Sequence, residues 1–239
     1  MEFKSYDKAN LPVRVVDKRE FRGCVTDLIN SSVDPTLSPQ AFLVEQVPNW
    51  TLPTHFHMQE QFQVVVHGSG TIGRHNLSKL SIHYSTKHAG YGPIKSFDDG
   101  ISYFTIRSVG DSGAWYLPES IASLDKEIKK NQYHGIENSS LSNEQLKELA
   151  TPDLQPLIEK KENAVAAWVL RVPPHTDHTF EELMYSQVVR FYIVTQGSLM
   201  LENQTLSVNS VVQTGVNENL LIQTREQGVE MAVVQFSIN

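Results

Sequence analysis

The sequence predicts an all-β fold built from two similar halves. Two blocks, 41–107 and 164–239, carry short runs of β-branched and aromatic residues separated by turn formers. Segments of the first block recur in the second after 125 to 129 residues. Short strands at this spacing favour antiparallel sandwiches or barrels over a parallel sheet. We therefore expect two antiparallel barrels in one chain.

The first half divides into several short predicted strands. Residues 11–30 alternate between apolar and polar side chains, which predicts one or two strands there. Turn formers at 48–49, 68–70 and 98–100 separate the runs that follow. Those runs are 42–47, 61–66, 71–74, 80–84 and 101–107.

Residues 111–163 predict a short helical connector between the halves. Ile121, Leu124 and Ile128 recur at helical spacing within 119–130. Ser142 is followed three residues later by Gln145, a capping-box pattern that opens a helix through about residue 150. A further helical turn is expected over 154–161. This gives three regions: 1–110, the connector 111–163, and 164–239.

The two strand-rich blocks look like copies of one unit. Residues 42–48 match 168–173 in pattern, and 61–69 match 190–198. In both copies the second of these runs ends in a glycine followed by a serine. A repeated all-β unit of this kind indicates an internal duplication.

Composition narrows the classes of partner and compartment. The 239-residue chain has a net charge of −7, and an acidic surface repels phosphate backbones, so nucleic acid is not an expected partner. No apolar run approaches the ~20 residues that span a bilayer, and the first residues lack a signal-peptide pattern. The lone Cys24 fits a reducing compartment. We expect a cytoplasmic monomer or homodimer that does not bind membranes.

Histidines are concentrated in the first half. Imidazole is a common ligand of transition metals. Residues two apart in a strand point to the same face, so His55 and His57 aim at one point and Gln61 continues that face. The two histidines could alternatively be a solvated or hydrogen-bonded pair. Six of the nine histidines lie within 55–88: His55, His57, His67, His75, His83 and His88.

This pattern resembles the first motif of the cupin superfamily. That motif has two histidines one residue apart, then a glutamate, then a glycine at a hairpin turn. Here the positions are His55, His57, Gln61 and Gly68, with glutamine in place of the glutamate. The second cupin motif supplies a third histidine after a proline–glycine turn. His88 stands near that place, without the proline, the glycine or the terminal asparagine.

The resemblance covers roughly 40–108 and 164–239, and it implies a bicupin. The expected fold is two double-stranded β-helix, or jelly-roll, barrels. It implies one divalent transition metal (Fe, Zn, Ni or Mn) in the first barrel, held by His55, His57 and His88 with Gln61 as fourth ligand. His83 is the alternative third ligand. A neutral glutamine would leave the charge of the ion unneutralised and weaken its binding.

The second half does not repeat this set of ligands. Arg190 aligns with Gln61, and Met184 and Ser186 align with the two histidines. Arg190 and Tyr192 would point into the second barrel, where a buried guanidinium needs a partner. They could bind a carboxylate ligand, or Arg190 could form an internal pair with Glu182 or Glu202. The internal pair is the favoured interpretation.

Cupin barrels support unrelated activities, so the resemblance leaves function open. The first hypothesis is a metal-dependent enzyme acting on a small organic molecule, a dioxygenase or an isomerase. The alternative is a non-catalytic small-molecule-binding or sensor protein. A metal-free protein that still binds a ligand would favour the alternative.

Overall fold

Antiparallel strands dominate the structure, a computed structural model that describes residues 1–6, 10–136, 140–184 and 187–237. The described residues of 8–136 form one unit, and those of 1–7 and 137–239 form another. We term these the first barrel and the second barrel. Among the described residues, no helix is long and apolar enough to cross a membrane.

The first barrel is built on long central strands. The N-terminal strand β1 (Glu2–Lys4) belongs to the second barrel. In chain order, the strands of the first barrel are β2 (Val13–Asp17), β3 (Arg22–Ile29), β4 (Gln40–Gln46), β5 (Thr51–Leu52), β6 (His55–Phe56), β7 (Gln61–Ile72), β8 (His75–Leu77), β9 (Ser81–Ser85), β10 (Ile94–Arg107), β11 (Trp115–Tyr116) and β12 (Gln132–Ile136).

Antiparallel pairing arranges these strands in the order β12-β9-β7-β10-β4-β3-β2, while β11 pairs with β6. The central strands β7 and β10 are rich in β-branched and aromatic residues, as buried strands are. Their pairing contains a bulge near Ser102 and Tyr103, where the strands bend. One apolar cluster fills the interior: Val25, Phe42, Val44, Leu52, Val65, Ile72, Leu77, Tyr91, Ile94, Ile101 and Tyr103.

The second barrel contains one short α-helix, α1 (Asn143–Glu148), and two antiparallel sheets. The main sheet has the order β1-β19-β16-β21-β14-β13, and the smaller one the order β15-β20-β17-β18. Its further strands are β13 (Asp153–Ile158), β14 (Ala166–Val172), β15 (Asp177–His178), β16 (Val188–Gly197), β17 (Leu199–Leu201), β18 (Gln204–Leu206), β19 (Val211–Thr214), β20 (Ile222–Gln223) and β21 (Val229–Ser237).

The strand order confirms the duplication that the sequence predicted. Strands β9-β7-β10-β4-β3 of the first barrel follow the same order as β19-β16-β21-β14-β13 of the second. Gln61 lies opposite Ser85 of β9, and Arg190 lies opposite Thr214 of β19. Each central pair of strands also contains a bulge, between Ser102 and Tyr103 in one barrel and between Val194 and Gln196 in the other. The all-β, two-barrel prediction is therefore confirmed.

The segment 111–163 differs from the helical connector that the sequence predicted. The capping-box helix is confirmed, since Ser142 accepts a hydrogen bond from Gln145 N and α1 begins at Asn143. The helix predicted over 119–130 is wrong, because only the 3₁₀ turn Ile121–Ser123 forms there and Ile121 is exposed. The helical turn predicted over 154–161 is also wrong, because β13 occupies it and pairs with β14. Residues up to Ile136 pack with the first barrel, so the boundaries at 110 and 163 differ from those of the two units.

Candidate functional site

A cavity of about 460 Å³ opens into the first barrel, within the ~300–1,000 Å³ range of small-molecule pockets. Its polar lining includes the histidines and the glutamine of the predicted metal site. Apolar side chains of β2, β3 and β4 form much of the remaining wall. The polar and aromatic side chains of the lining include Arg14, Lys18, Glu20, His55, His57, Gln61, Gln63, Tyr91, Tyr103, Thr105, Arg107 and Tyr116.

His55 and His57 meet inside this cavity, as their spacing predicted. Both are buried, and their rings lie edge to face with centroids 5.3 Å apart. Phe56 between them stacks instead on Trp115. The short strand β6 is fixed by pairing with β11 and by backbone hydrogen bonds between His55 and Tyr91. Alternation along this strand therefore points the two imidazoles inward.

His55 is held as a neutral imidazole. Its Nδ1 lies 2.7 Å from the carbonyl oxygen of Pro53, and its Nε2 lies 2.9 Å from the hydroxyl of Tyr91. A proton on Nδ1 is donated to Pro53, which leaves Nε2 to accept from Tyr91. Burial, together with the neighbouring His57 and Arg107, lowers the pKa of His55 to about 3.

His57 rests on a buried carboxylate. Its Nδ1 lies 2.8 Å from Oδ1 of Asp111. The same Oδ1 accepts from the backbone N–H of Gly113, and Oδ2 accepts from the backbone N–H of Gln59. Burial and the Arg107 charge lower the pKa of His57, against the opposing effect of Asp111. Asp111 thus fixes the ring and leaves Nε2 directed away from it.

Gln61 is bound to Arg107. Its Oε1 accepts from Nε and Nη2 of the buried guanidinium at 3.0 and 2.9 Å. Its amide nitrogen donates to the Tyr91 hydroxyl. The Arg107 Nη2 also lies 3.1 Å from His57 Nδ1 and 3.8 Å from Oδ1 of Asp111. The oxygen that was expected to bind a metal therefore already serves a cation.

Tyr91 lies buried at the centre of the polar lining, beside His55 and Gln61. Its hydroxyl contacts His55 and Gln61, and Gln63 donates to it at 3.4 Å. Burial, with smaller effects from Tyr103, raises the pKa of Tyr91 well above its ordinary value, so the phenol is neutral. Tyr91 is the group that joins the polar residues of the cavity into one network.

His88 does not join His55 and His57, contrary to the predicted ligand set. Its ring stacks on Phe56, the residue that points away from His55 and His57. Its Nδ1 accepts from the backbone N–H of Asp125 at 3.2 Å. The backbone of His88 has a φ of 57°, in the left-handed region that turns a chain sharply. The turn directs His88 away from the site and brings Tyr91, three residues later, into it.

His83, the alternative third ligand, lies beside this network but belongs to another group. Its Nδ1 lies 3.0 Å from the amide oxygen of Gln63, and its ring stacks on His134 at 4.7 Å. Burial, His134 and weaker neighbouring charges lower the pKa of His83 to about 3. It contacts Tyr91 through its ring edge, at 4.8 Å between centroids.

The residues present do not fit the divalent metal that the cupin resemblance implied. The two imidazoles do hold their Nδ1 atoms on a carbonyl and a carboxylate, as metal ligands often do. However, no three His, Cys, Asp or Glu side chains of the described residues converge as a ligand set. The remaining central donors are a neutral phenol and an amide whose oxygen is bound to Arg107. A dication would lack an anionic ligand and would face a buried guanidinium.

In the second barrel, Arg190 and Tyr192 form an internal group. Nε of Arg190 donates to the amide oxygen of Gln235 at 2.8 Å, whereas the sequence suggested Glu182 or Glu202 as its partner. Burial raises the pKa of Tyr192, against the opposing effect of the neighbouring Arg190. The cavity that Tyr192 lines measures about 10 Å³, which is too small for an organic ligand. Met184 is exposed, and Ser186 lies outside the described residues.

Sequence reasoning missed three residues of the network: Tyr91, Arg107 and Asp111. Asp111 and Arg107 carry opposite charges four residues apart at the end of a predicted strand, which was a weak signal. A stronger signal was the repeat, because Gln61 and Arg107 correspond in strand position to Arg190 and Gln235. The two barrels hold the same buried Arg–Gln pair with its members exchanged.

The described residues form two β-barrels, and the ligand-sized cavity beside His55 and His57 lies in the first of them. No family model matches the sequence, and neither does any curated protein.

Solved structures do match nearly the whole chain. A candidate dioxygenase from Nostoc punctiforme is 14% identical with a TM-score of 0.65, covering 99% of this chain and 83% of that one. Oxalate decarboxylase from Bacillus subtilis, solved at pH 4.6, is 10% identical with a TM-score of 0.60, covering 98% of this chain and 76% of that one. Another structure of that decarboxylase, with a TM-score of 0.59, concerns its Mn(II) centres. These likenesses show that the chain has the cupin fold.

Proposed function

We propose that the first barrel binds a small organic molecule directly through protein groups, without a metal. The observation that carries this proposal is the cavity of about 460 Å³ whose inner polar groups are already joined by hydrogen bonds. Polar groups that are fixed in advance need little reorganisation when a ligand binds. Apolar walls with a few convergent polar groups are typical of such sites.

The chemistry of the network favours binding over acid–base catalysis. A general acid or base works best with a pKa near the operating pH. The pKa of His55 is about 3, and that of Tyr91 is far above its ordinary value. Their hydrogen bond therefore makes a rigid contact surface rather than a proton-transfer pair. This supports the non-catalytic interpretation over an isomerase.

The structural neighbours suggest the competing function, a metal-dependent enzyme. One is a candidate dioxygenase, and another has Mn(II) centres. For this chain, that function would require the cavity to accept a dication next to Arg107, with His55 and His57 as the only predicted ligands in place. The donor set argues against it, so we place metal dependence among the outcomes of the test.

The proposal is tested by a ligand screen on the metal-free protein. Protein purified with a chelator would be screened by thermal shift against small organic molecules of both charge types. We expect ligands that raise the melting temperature of the wild type by several degrees. Val44→Trp, which fills the cavity, should abolish these shifts. Val15→Trp is the matched control, since Val15 is 80% exposed.

Two results would overturn the proposal. One is a stoichiometric metal in protein purified without chelator, with ligand shifts that appear only when the metal is present. The other is the absence of any ligand whose shift is lost in Val44→Trp. Substrate-dependent oxygen uptake by the metal-loaded protein would establish the enzyme instead.

A further inference from the structure

A second polar group lines the cavity, apart from the network around Tyr91. Arg14 extends from the edge strand β2, where its neighbours Val13 and Val15 are exposed on the opposite face. The Nη2 atom of Arg14 lies 3.3 Å from Oδ1 of Asp27 and also donates to the hydroxyl of Ser32. The guanidinium is thereby held in one orientation, about one third exposed to solvent.

Arg14 lines the cavity with a guanidinium that is only partly engaged within the protein. Its Nη2 contacts Asp27 and Ser32, and its Nε is a buried donor without a hydrogen-bond partner among the described residues. Because Nε has almost no accessible surface, a ligand would reach the guanidinium through its terminal nitrogens. The side chain, about one third exposed, therefore offers charge and N–H donors to an acceptor in the cavity.

The charges that line the cavity favour one kind of hydrogen-bond acceptor on the ligand. Three cations line the cavity, Arg14, Lys18 and Arg107, against the single carboxylate of Glu20. Asp27 and Asp111 pair with two of these cations but are absent from the lining. The pairs therefore present their positive members to the cavity, in a chain whose net charge is −7. Such a field favours an anionic group on the ligand.

The rest of the wall is apolar, so the anion must carry an apolar body. Apolar burial contributes roughly 25 cal/mol per Å² of ligand surface, which gives affinity without further polar contacts. The cavity of about 460 Å³ has room for such a body. The apolar side chains that line it are Val16, Phe21, Val25, Val33, Phe42, Val44 and Leu52.

We propose that the ligand of the first barrel is an organic monocarboxylate with an apolar body, and that the guanidinium of Arg14 donates to its carboxylate. This inference rests on the proposed function and adds to it the ligand class and a specificity-determining residue. A planar guanidinium held on Asp27 binds a carboxylate with a fixed geometry that an ammonium cannot reproduce.

Matched acids and amides test this inference. The probes are octanoate and 4-phenylbutanoate with their primary amides, titrated into metal-free protein by calorimetry. We expect each acid to bind at least tenfold more tightly than its amide. Arg14→Lys keeps a cation beside Asp27 but removes the planar guanidinium, so it should weaken the acids about tenfold and leave the amides unchanged. Arg22→Lys is the control, because Arg22 pairs with Asp17 at the surface.

Each unfavourable result identifies what failed. Equal binding of acids and amides would overturn the carboxylate class while leaving the cavity a binding site. Tighter binding of acids that Arg14→Lys does not change would overturn the role of Arg14. If none of the four probes binds, the carboxylate proposal is overturned. Neutral ligands found in the broad screen and lost in Val44→Trp would then still support the proposed function.

Discussion

Buried neutral histidines make the first barrel sensitive to acid. The pKa values of His55 and His83 are about 3, because burial disfavours their charged forms. Below about pH 6.5 the unfolded chain takes up protons that the folded chain does not accept until about pH 3. The unfolded state then binds more protons, so the free energy of unfolding falls as the pH falls through this window.

For each of these histidines, we expect the free energy of unfolding to fall by about 1.4 kcal/mol for every unit that the pH falls between roughly pH 6 and 4. His83→Gln should reduce the slope by one such contribution, which urea titrations at several pH values would measure. His67→Gln is the control, since His67 is exposed. An unchanged slope in His83→Gln would mean that this imidazole is already protonated in the folded protein.

At the residue scale, the sequence predicted the histidine pair but not the groups around it. The spacing of His55 and His57 was sufficient, because side chains alternate along a strand. The third position depended on a left-handed residue at His88, and a non-glycine residue in that conformation gives no sequence signal. The role of Gln61 depended on Arg107, 46 residues away on the neighbouring strand. Contacts of this kind follow from strand register and not from local pattern.

The hairpin glycines of the two copies are fixed by close backbone approach. Gly68 has a φ of 74°, and an added Cβ would lie 2.2 Å from the carbonyl oxygen of Gly100. Gly197 repeats this geometry, at 2.0 Å from the oxygen of Gly228. The motif glycine therefore allows the central strand to bend against its partner in each barrel.

We expect Gly68→Ala to lower the free energy of unfolding by more than about 3 kcal/mol, because the backbone of β10 must move. Gly73→Ala is the matched control: its φ of 55° is also left-handed, but the nearest atom lies 3.5 Å from the added Cβ. It should lose about 1 kcal/mol, the ordinary cost of that conformation. Similar losses in the two variants, measured by urea denaturation, would show that the close approach is not limiting.

The exchanged Arg–Gln pair joins neighbouring strands in both barrels, and it allows a test by substitution. Gln61→Arg would place two buried guanidiniums together, and Arg107→Gln would leave Asp111 without its cation. Each should destabilise the protein by roughly 2–4 kcal/mol. The double variant recreates the arrangement of Arg190 and Gln235. We expect the double variant to lose at least about 2 kcal/mol less stability than the two single variants lose together. Urea denaturation of all four proteins would measure this difference as a coupling energy.

Additive losses in that cycle would mean that Gln61 and Arg107 stabilise the protein separately. The pair would then not be equivalent in energy to Arg190 and Gln235.

Helices and strands were otherwise well predicted where local chemistry decides them. The capping box at Ser142 specified a helix start, and alternation specified the strands. The helix expected over 119–130 failed because Ile121 found no buried surface to pack against, and helical spacing alone does not stabilise a short helix.

At the scale of the whole molecule, the N-terminal strand is the feature that the sequence did not reveal. Strand β1 pairs with β19, from Glu2 opposite Gln213 to Lys4 opposite Val211, and so completes the main sheet of the second barrel. Phe3 packs against the apolar cluster of that barrel. A strand so short carries no detectable alternation, and its partner lies more than 200 residues away. Boundaries read from sequence therefore assigned it to the first half.

We expect removal of residues 1–6 to destabilise the second barrel selectively. The deletion exposes the edge of β19 and removes Phe3 from its core, which should cost roughly 2–4 kcal/mol through lost burial and unpaired backbone groups. Hydrogen exchange should show faster exchange in β19 (Val211–Thr214), while β7 and β10 of the first barrel keep their protection. Phe3→Ala separates the two contributions, since it keeps the backbone pairing and loses only the side chain. Equal loss of protection in both barrels would show that they unfold as one cooperative unit, and unchanged exchange in β19 would show that β1 does not support the second barrel.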